Sequence, residues 1–140
     1  MFKTQLILGE WSADNWVLEA PLCWNDPVFG TLTFPVGFIT DLESIPFSIR
    51  AVPFLDIEGL TRRPSAAHDG LYRLCRSRGK DYADRFLRAA MLAEGASEGT
   101  AATVYYGVRW GGGEAWEDDD ANVTDFDTET HYVAWRATAP

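Results

Sequence analysis

Between Pro64 and Val108 apolar residues recur at helical spacing in three short segments, joined by links that leave room only for turns. Ala67, Leu71, Leu74 and Cys75 give the first segment, Pro64 to Arg76, one apolar stripe. Ala83, Phe86, Leu87, Ala90 and Met91 do the same for Lys80 to Glu94, and Ala101, Val104, Tyr105 and Val108 for Glu98 to Val108. Pro64 suits a first helical position, and Gly79, Gly95 and the Gly111-Gly112-Gly113 run supply stops. Ser77-Arg78-Gly79 is so short a link that the first two helices must pack as an antiparallel pair.

Upstream the period changes from helical to alternating. Leu6-Ile7-Leu8 marks a first strand over Lys3 to Gly9, and Ser12-Ala13-Asp14-Asn15 a turn. From Asn15 to Trp24 the residues Trp16, Leu18, Ala20, Leu22 and Trp24 share one face, with Pro21 arguing for an edge or a bulge. Asn25-Asp26-Pro27 is a turn and Phe29 to Phe34 the next strand; Pro35 and Gly37 bend the chain into Phe38-Ile39-Thr40-Asp41. Ile45 to Leu60 is apolar but broken by proline. The expected fold is α+β: a small N-terminal antiparallel sheet, arranged as a meander within residues 1–46, then a short bundle of about three helices within 61–110. At 140 residues a single domain is expected over 1–140. Residues 114–130 form an acidic segment expected to be mobile. His131 to Arg136 alternates and is expected to return as a strand.

The formal net charge of −9 excludes a general nucleic-acid binder, although Arg62, Arg63, Arg73, Arg76, Arg78, Lys80, Arg85 and Arg88 crowd the middle. Those cations read as helix-surface residues facing solvent or the acidic C-terminal part. No apolar run reaches the roughly 20 residues of a bilayer span, and the N-terminus has no signal-peptide pattern. Cys23 and Cys75 sit on unlike segments and read as two buried free thiols, which suits a reducing cytoplasm. The six tryptophans read as core or interface anchors.

The residues that can carry chemistry collect in three places. His68 and Tyr72, spaced i, i+4, lie on one face of the first helix, with Asp69 about 100° round. Asp84 lies on the second helix, and Asp41 and Ser44 follow a strand. Histidine is the side chain suited to general-base work near neutral pH, and a carboxylate is its usual orienting partner; Asp84 is placed for that. Asp41 and Asp69 are hard oxygen donors suited to calcium or another divalent cation, and the Tyr72 hydroxyl can hold a carboxylate in place. The same residues also suit a buried hydrogen-bond network that pins the helices to the sheet, with Asp41 capping a turn. Both readings remain open at this point.

Two resemblances bear on the choice. His68-Asp69-Gly70-Leu71-Tyr72 resembles the His-Asp-x-x-Tyr helix of small calcium-dependent secreted phospholipases, and Asp84-Arg85 resembles the second-helix aspartate that orients their catalytic histidine. That likeness implies that His68 activates a water, Asp84 orients His68, and Asp69 and Asp41 hold calcium. The chain departs from those enzymes in having no disulfide framework and no glycine-rich loop before the helix. A broader likeness runs from about Gly30 to Trp116. Pro35 to Pro46 resembles the Pro-x-Gly-Phe-x-Thr-Asp-Leu-x-Ser-x-Pro signature of an uncharacterised family of small proteins of tailed bacteriophages and prophages. His68-Asp69-x-Leu71-Tyr72, Ala83-Asp84-x-Phe86 and Tyr106-x-Val108-Arg109-x-Gly111 follow in that family's order. This likeness implies a phage-encoded protein in the bacterial host cytoplasm or the virion, with other phage proteins or a host protein as partners. Two function classes follow: a virion-associated or host-factor-binding protein with a buried His-Asp cluster, or a hydrolase with a His68–Asp84 dyad, metal-assisted, acting on a cell-envelope or lipid ester or amide.

Overall fold

The computed structural model of the protein describes residues 1–42, 59–74, 78–111, 113, 116 and 117. Cys75, Ser44, the end of the first helix at Arg76, the segment 45–58, the acidic residues 118–130 and the strand expected at His131 to Arg136 lie outside the described residues.

The architecture is α+β, with antiparallel strands preceding three helices among the described residues. The strands are β1 (Leu8–Ser12), β2 (Asn15–Leu18), β3 (Leu22–Asp26), β4 (Gly30–Phe34) and β5 (Ile39–Thr40). They form two sheets rather than one meander: β1-β2-β5, and the hairpin β3-β4. The alternation from Asn15 to Trp24 is cut at Glu19 to Pro21, so Pro21 marks a break between sheets instead of a bulge within one strand. The first strand also begins later than Lys3. Residues 1–4 run beside β3, where Lys3 N–H donates to the Cys23 carbonyl at 2.8 Å and Asn25 N–H to the Met1 carbonyl at 3.0 Å. Glu19 N–H then donates to the Ile7 carbonyl at 2.9 Å as the chain enters the other sheet. The N-terminal segment therefore ties the two sheets together.

The Pro35-Val36-Gly37-Phe38 stretch is a turn that returns the chain to β2. Phe38 N–H donates to the Pro35 carbonyl at 3.2 Å, and Gly37 sits at φ 90°, a left-handed value that a side chain would strain. Leu18 N–H then donates to Phe38 carbonyl at 2.9 Å, and Phe38 becomes fully buried. Two residues later Leu42 takes φ 60°, a conformation that costs a non-glycine residue about 1 kcal/mol. Its N–H is held by the Thr40 hydroxyl at 3.1 Å.

The helices are α1 (Arg62–Leu74), α2 (Lys80–Ala93) and α3 (Glu98–Gly111). α1 starts two residues earlier than Pro64. Proline is tolerated there because first-turn N–H groups have no partner within the helix. Gly79 and Gly95 are left-handed, at φ 90° and 106°; beyond α2, Ala96 N–H donates to the Met91 carbonyl at 3.0 Å across Gly95. The Ser97 hydroxyl caps α3 by accepting Thr100 N–H at 3.2 Å.

Two apolar clusters result. The larger joins the sheets to α1 and α2, with Trp24 edge-on to Phe2 and Phe86, each at 5.0 Å between ring centres. Gly70 lets α1 settle onto β4. A Cβ there would lie 2.6 Å from Phe34 Cε1 and closer still to Cδ1. The smaller cluster, Leu87, Met91, Ala101, Val104 and Val108, fills the seam between α2 and α3.

Candidate functional site

The short link between α1 and α2 brings His68 and Tyr72 against Asp84. His68 Nε2–H donates to Asp84 Oδ1 at 2.8 Å, and the Tyr72 hydroxyl donates to the same oxygen at 2.7 Å. The two rings lie 4.3 Å apart, as i, i+4 neighbours on one helical face allow. Lys80, one turn before Asp84 on α2, completes the set: its Nζ donates to Asp84 Oδ2 at 2.5 Å. The same ammonium reaches the Val108 carbonyl at 2.9 Å and the Arg109 carbonyl at 3.3 Å near the end of α3. There it meets the negative end of that helix's dipole. One lysine thus fastens α3 to the carboxylate between α1 and α2.

Burial alone would push the Asp84 carboxyl up. Hydrogen bonds from His68, Lys80 and Tyr72 outweigh it and hold the group below the usual carboxylate range. Asp84 is therefore ionised at neutral pH and can only accept, which fixes a proton on His68 Nε2. The side chains of His68 and Asp84 are each 1% exposed. Trp116 stands edge-on to Tyr72 at 5.0 Å, so the chain after α3 also closes over this group.

The five site residues expected from sequence separate into two groups. His68, Tyr72 and Asp84 converge. Asp69 turns to Arg73, whose Nε lies 3.3 Å from Asp69 Oδ1 and whose Nη1 donates to the Ile39 carbonyl of β5 at 2.8 Å. Asp41 follows that strand directly. Asp69 thus faces the sheet edge through the Arg73 guanidinium. Among the described residues, no group of three or more His, Cys, Asp or Glu is placed to hold a metal ion. Lys80 is the residue that sequence reasoning misses. Its only signal is the i, i+4 spacing from Asp84, which is shared with ordinary surface pairs. Cys23 is a half-buried free thiol on β3.

The elements that build this group, from β2 to α3, coincide with the stretch that matches a known family. Residues 16–108 match the family model described as "Protein of unknown function (DUF1353)". The chain belongs to the DUF1353 family. No curated protein and no solved structure matches it. The DUF1353 match contains Gly37, Asp41, Gly70, His68, Tyr72, Lys80 and Asp84, and it ends at Val108, whose carbonyl Lys80 binds. No described helix is long and apolar enough to cross a membrane.

Proposed function

We propose that this DUF1353 protein is a phage-encoded binding or structural component. It would be virion- or tail-associated, or directed at a bacterial host factor, with the His68–Asp84 group holding the fold rather than turning over a substrate. Burial is the observation that supports this most. His68 and Asp84 are each 1% exposed, and three donors from two helices already occupy Asp84. A general base must reach water or substrate, whereas a fold-specifying network needs no access. The phage setting is supported by the resemblance of Pro35 to Pro46 and of His68 to Tyr72 to phage and prophage proteins. Other phage proteins or a host protein are the partners this reading implies, and the net charge of −9 disfavours direct nucleic-acid binding.

One observation favours a second reading. In a neutral imidazole whose Nε2–H is held by Asp84, Nδ1 is the basic nitrogen, which is the arrangement a hydrolytic His-Asp dyad requires. On that reading the protein is a hydrolase of a cell-envelope or lipid ester or amide, with Tyr72 steadying Asp84 and with Asp41 and Asp69 holding calcium or another divalent cation.

His68→Asn separates the two. In the structural role, the variant melts at a lower temperature, and purified particles from cells carrying the gene still contain the folded fraction. A variant that keeps the wild-type melting temperature but loses wild-type turnover on a panel of esters, amides and lipids would sink the structural reading and leave the hydrolase.

A further inference from the structure

A cavity of about 290 Å³ opens where the N-terminal segment, the start of α1 and the end of α2 meet, and it shares no residue with the His68–Asp84 group. Gln5, Leu6, Gly59, Arg62, Arg63 and Glu94 line it. Its two arginines stand in opposite situations. Arg63 is fixed: Nε and Nη2 donate to Glu94 Oε2 at 3.1 and 3.0 Å, Nη2 lies 2.8 Å from Oε1, and Nη1 donates to the Thr4 carbonyl at 3.1 Å. That pair is neutral, and both Glu94 oxygens are taken. Arg62 is exposed and, among the described residues, has no ion pair and no side-chain hydrogen bond; the same holds for the Gln5 amide. What the wall offers a ligand is therefore donors, the guanidinium fork of Arg62 and the amide N–H₂ of Gln5. α1 also begins with these two cations and has no acidic residue in its first turn. A helix start carries about half a positive charge, so cations stand here where acids are favoured. Arg63 is offset by Glu94 and Arg62 is not, which leaves a surplus of about +1.5 beside the cavity.

We propose that this cavity binds a phosphoryl group, presented by free phosphate or by a small phosphomonoester. A phosphate monoester carries about −1.5 to −2 at pH 7 and three strong acceptor oxygens, which match the surplus charge and the donors; a carboxylate brings less charge and fewer acceptors. A guanidinium fork meets two phosphate oxygens side by side, and Gln5 supplies a donor for the third. The Glu94 carboxylate does not repel the anion, because Arg63 neutralises it. Nor can it swing across to satisfy Arg62, because the same guanidinium ties it to the N-terminal segment at Thr4. The site is thus held ready while its free cation stays unpaired. A cavity of about 150 Å³ takes a benzene-sized molecule, so 290 Å³ has room for a short body beyond the phosphate. With Leu6 the one large apolar side chain in the lining, that body is polar.

Thermal melting of the full chain with ribose 5-phosphate, inorganic phosphate or ribose tests this, each against sodium chloride at equal ionic strength. Ribose 5-phosphate and inorganic phosphate are expected to raise the melting temperature with the logarithm of their concentration, beyond the shift that sodium chloride gives, and ribose is not. Tighter binding of ribose 5-phosphate assigns the site to a phosphomonoester and equal binding assigns it to free phosphate; both support the phosphoryl chemistry. Arg62→Gln weakens binding roughly tenfold or more, through the loss of a charged donor, and folds as wild type because Arg62 holds no other described side chain. Gln5→Ala weakens binding less. Arg85→Gln removes the same charge from an exposed side chain of α2 outside the cavity and leaves binding unchanged. Phosphate compounds that shift the melting temperature no more than sodium chloride overturn the proposal. So does a shift that Arg62→Gln and Arg85→Gln reduce equally.

Discussion

Two seams run along α2, and they are built on opposite terms. Toward α1 the contact is polar at its centre: His68, Tyr72 and Lys80 converge on one buried carboxylate. Toward α3 the buried centre is apolar, made of Leu87, Met91, Ala101, Val104 and Val108, and the ion pair of Arg109 with Asp81 lies at its exposed edge. The apolar seam gains free energy from every buried methylene but tolerates many arrangements, because hydrophobic attraction has no direction. In the polar seam, a large desolvation cost is set against hydrogen bonds that exist in one register only. Sliding α1 by one residue along α2 would take the His68 and Tyr72 donors away from the buried Asp84. The same helix therefore has one seam that specifies position and one that supplies adhesion, and Lys80 links them by reaching from Asp84 to the last turn of α3.

Equal-sized substitutions should expose this difference. Asp84→Asn keeps the shape but removes the charge that three donors are arranged to meet, and it places an amide N–H₂ where only acceptors fit. The expected loss is about 3 kcal/mol by chemical denaturation. The pH dependence follows from the lowered carboxyl. Its folded value lies below that of the unfolded chain, so the unfolded chain binds the proton first as pH falls. The contribution is complete above the ordinary aspartate value of about 3.9 and is lost as pH falls through that value toward the folded one. Asp84→Asn should lack this part of the acid limb. If wild type and variant lose stability in parallel over that window, Asp84 is not the group responsible.

An intermediate effect is expected where α1 meets the sheet. Gly70→Ala gains helix propensity, worth about 1 kcal/mol, but drives a methyl into the Phe34 ring, which is itself packed in the core. Overpacking of that kind costs about 1–3 kcal/mol, so the variant should be less stable than wild type. Phe34→Leu in the same chain should return part of the loss. A double-mutant cycle showing strictly additive effects would mean that the close approach is not what glycine provides here.

How much of this is legible in the sequence depends on whether a contact is local. His68 and Tyr72 are one turn apart, and a short link forces α2 back along α1, so their meeting with Asp84 follows from spacing alone. The turn at Gly37 is legible for the same reason, since proline and glycine declare their backbone angles. Lys80 is not, because its partners in α3 lie 28 and 29 residues away and nothing near it distinguishes an anchored lysine from a solvated one. The two-sheet division is hidden as well. Alternation continues in phase from Trp16 to Trp24 across Pro21, and a period of two cannot reveal that the strands on either side pair with different neighbours. The pairing of Asp69 with Arg73, one turn on, is legible in the same local way, since i, i+4 spacing puts the two on one helical face.

The smallest effect is expected in the apolar seam. Met91 is fully buried between α2 and α3, and leucine has nearly its volume without its third side-chain torsion. Met91→Leu changes neither charge nor hydrogen bonding, and its neighbours Leu87, Ala101 and Val104 have no fixed directional demand. A volume-conserving exchange of this kind costs less than about 1.5 kcal/mol, well under the value expected for Asp84→Asn. Both variants should be measured by urea denaturation in one buffer, so that the slopes can be compared along with the midpoints. An equal loss for both would mean that jigsaw fit fixes the α2–α3 seam as strictly as hydrogen bonding fixes the other, and the division of labour across α2 would not hold. A small loss with an unchanged slope would show that α2 can be repacked on one side while its register is kept from the other.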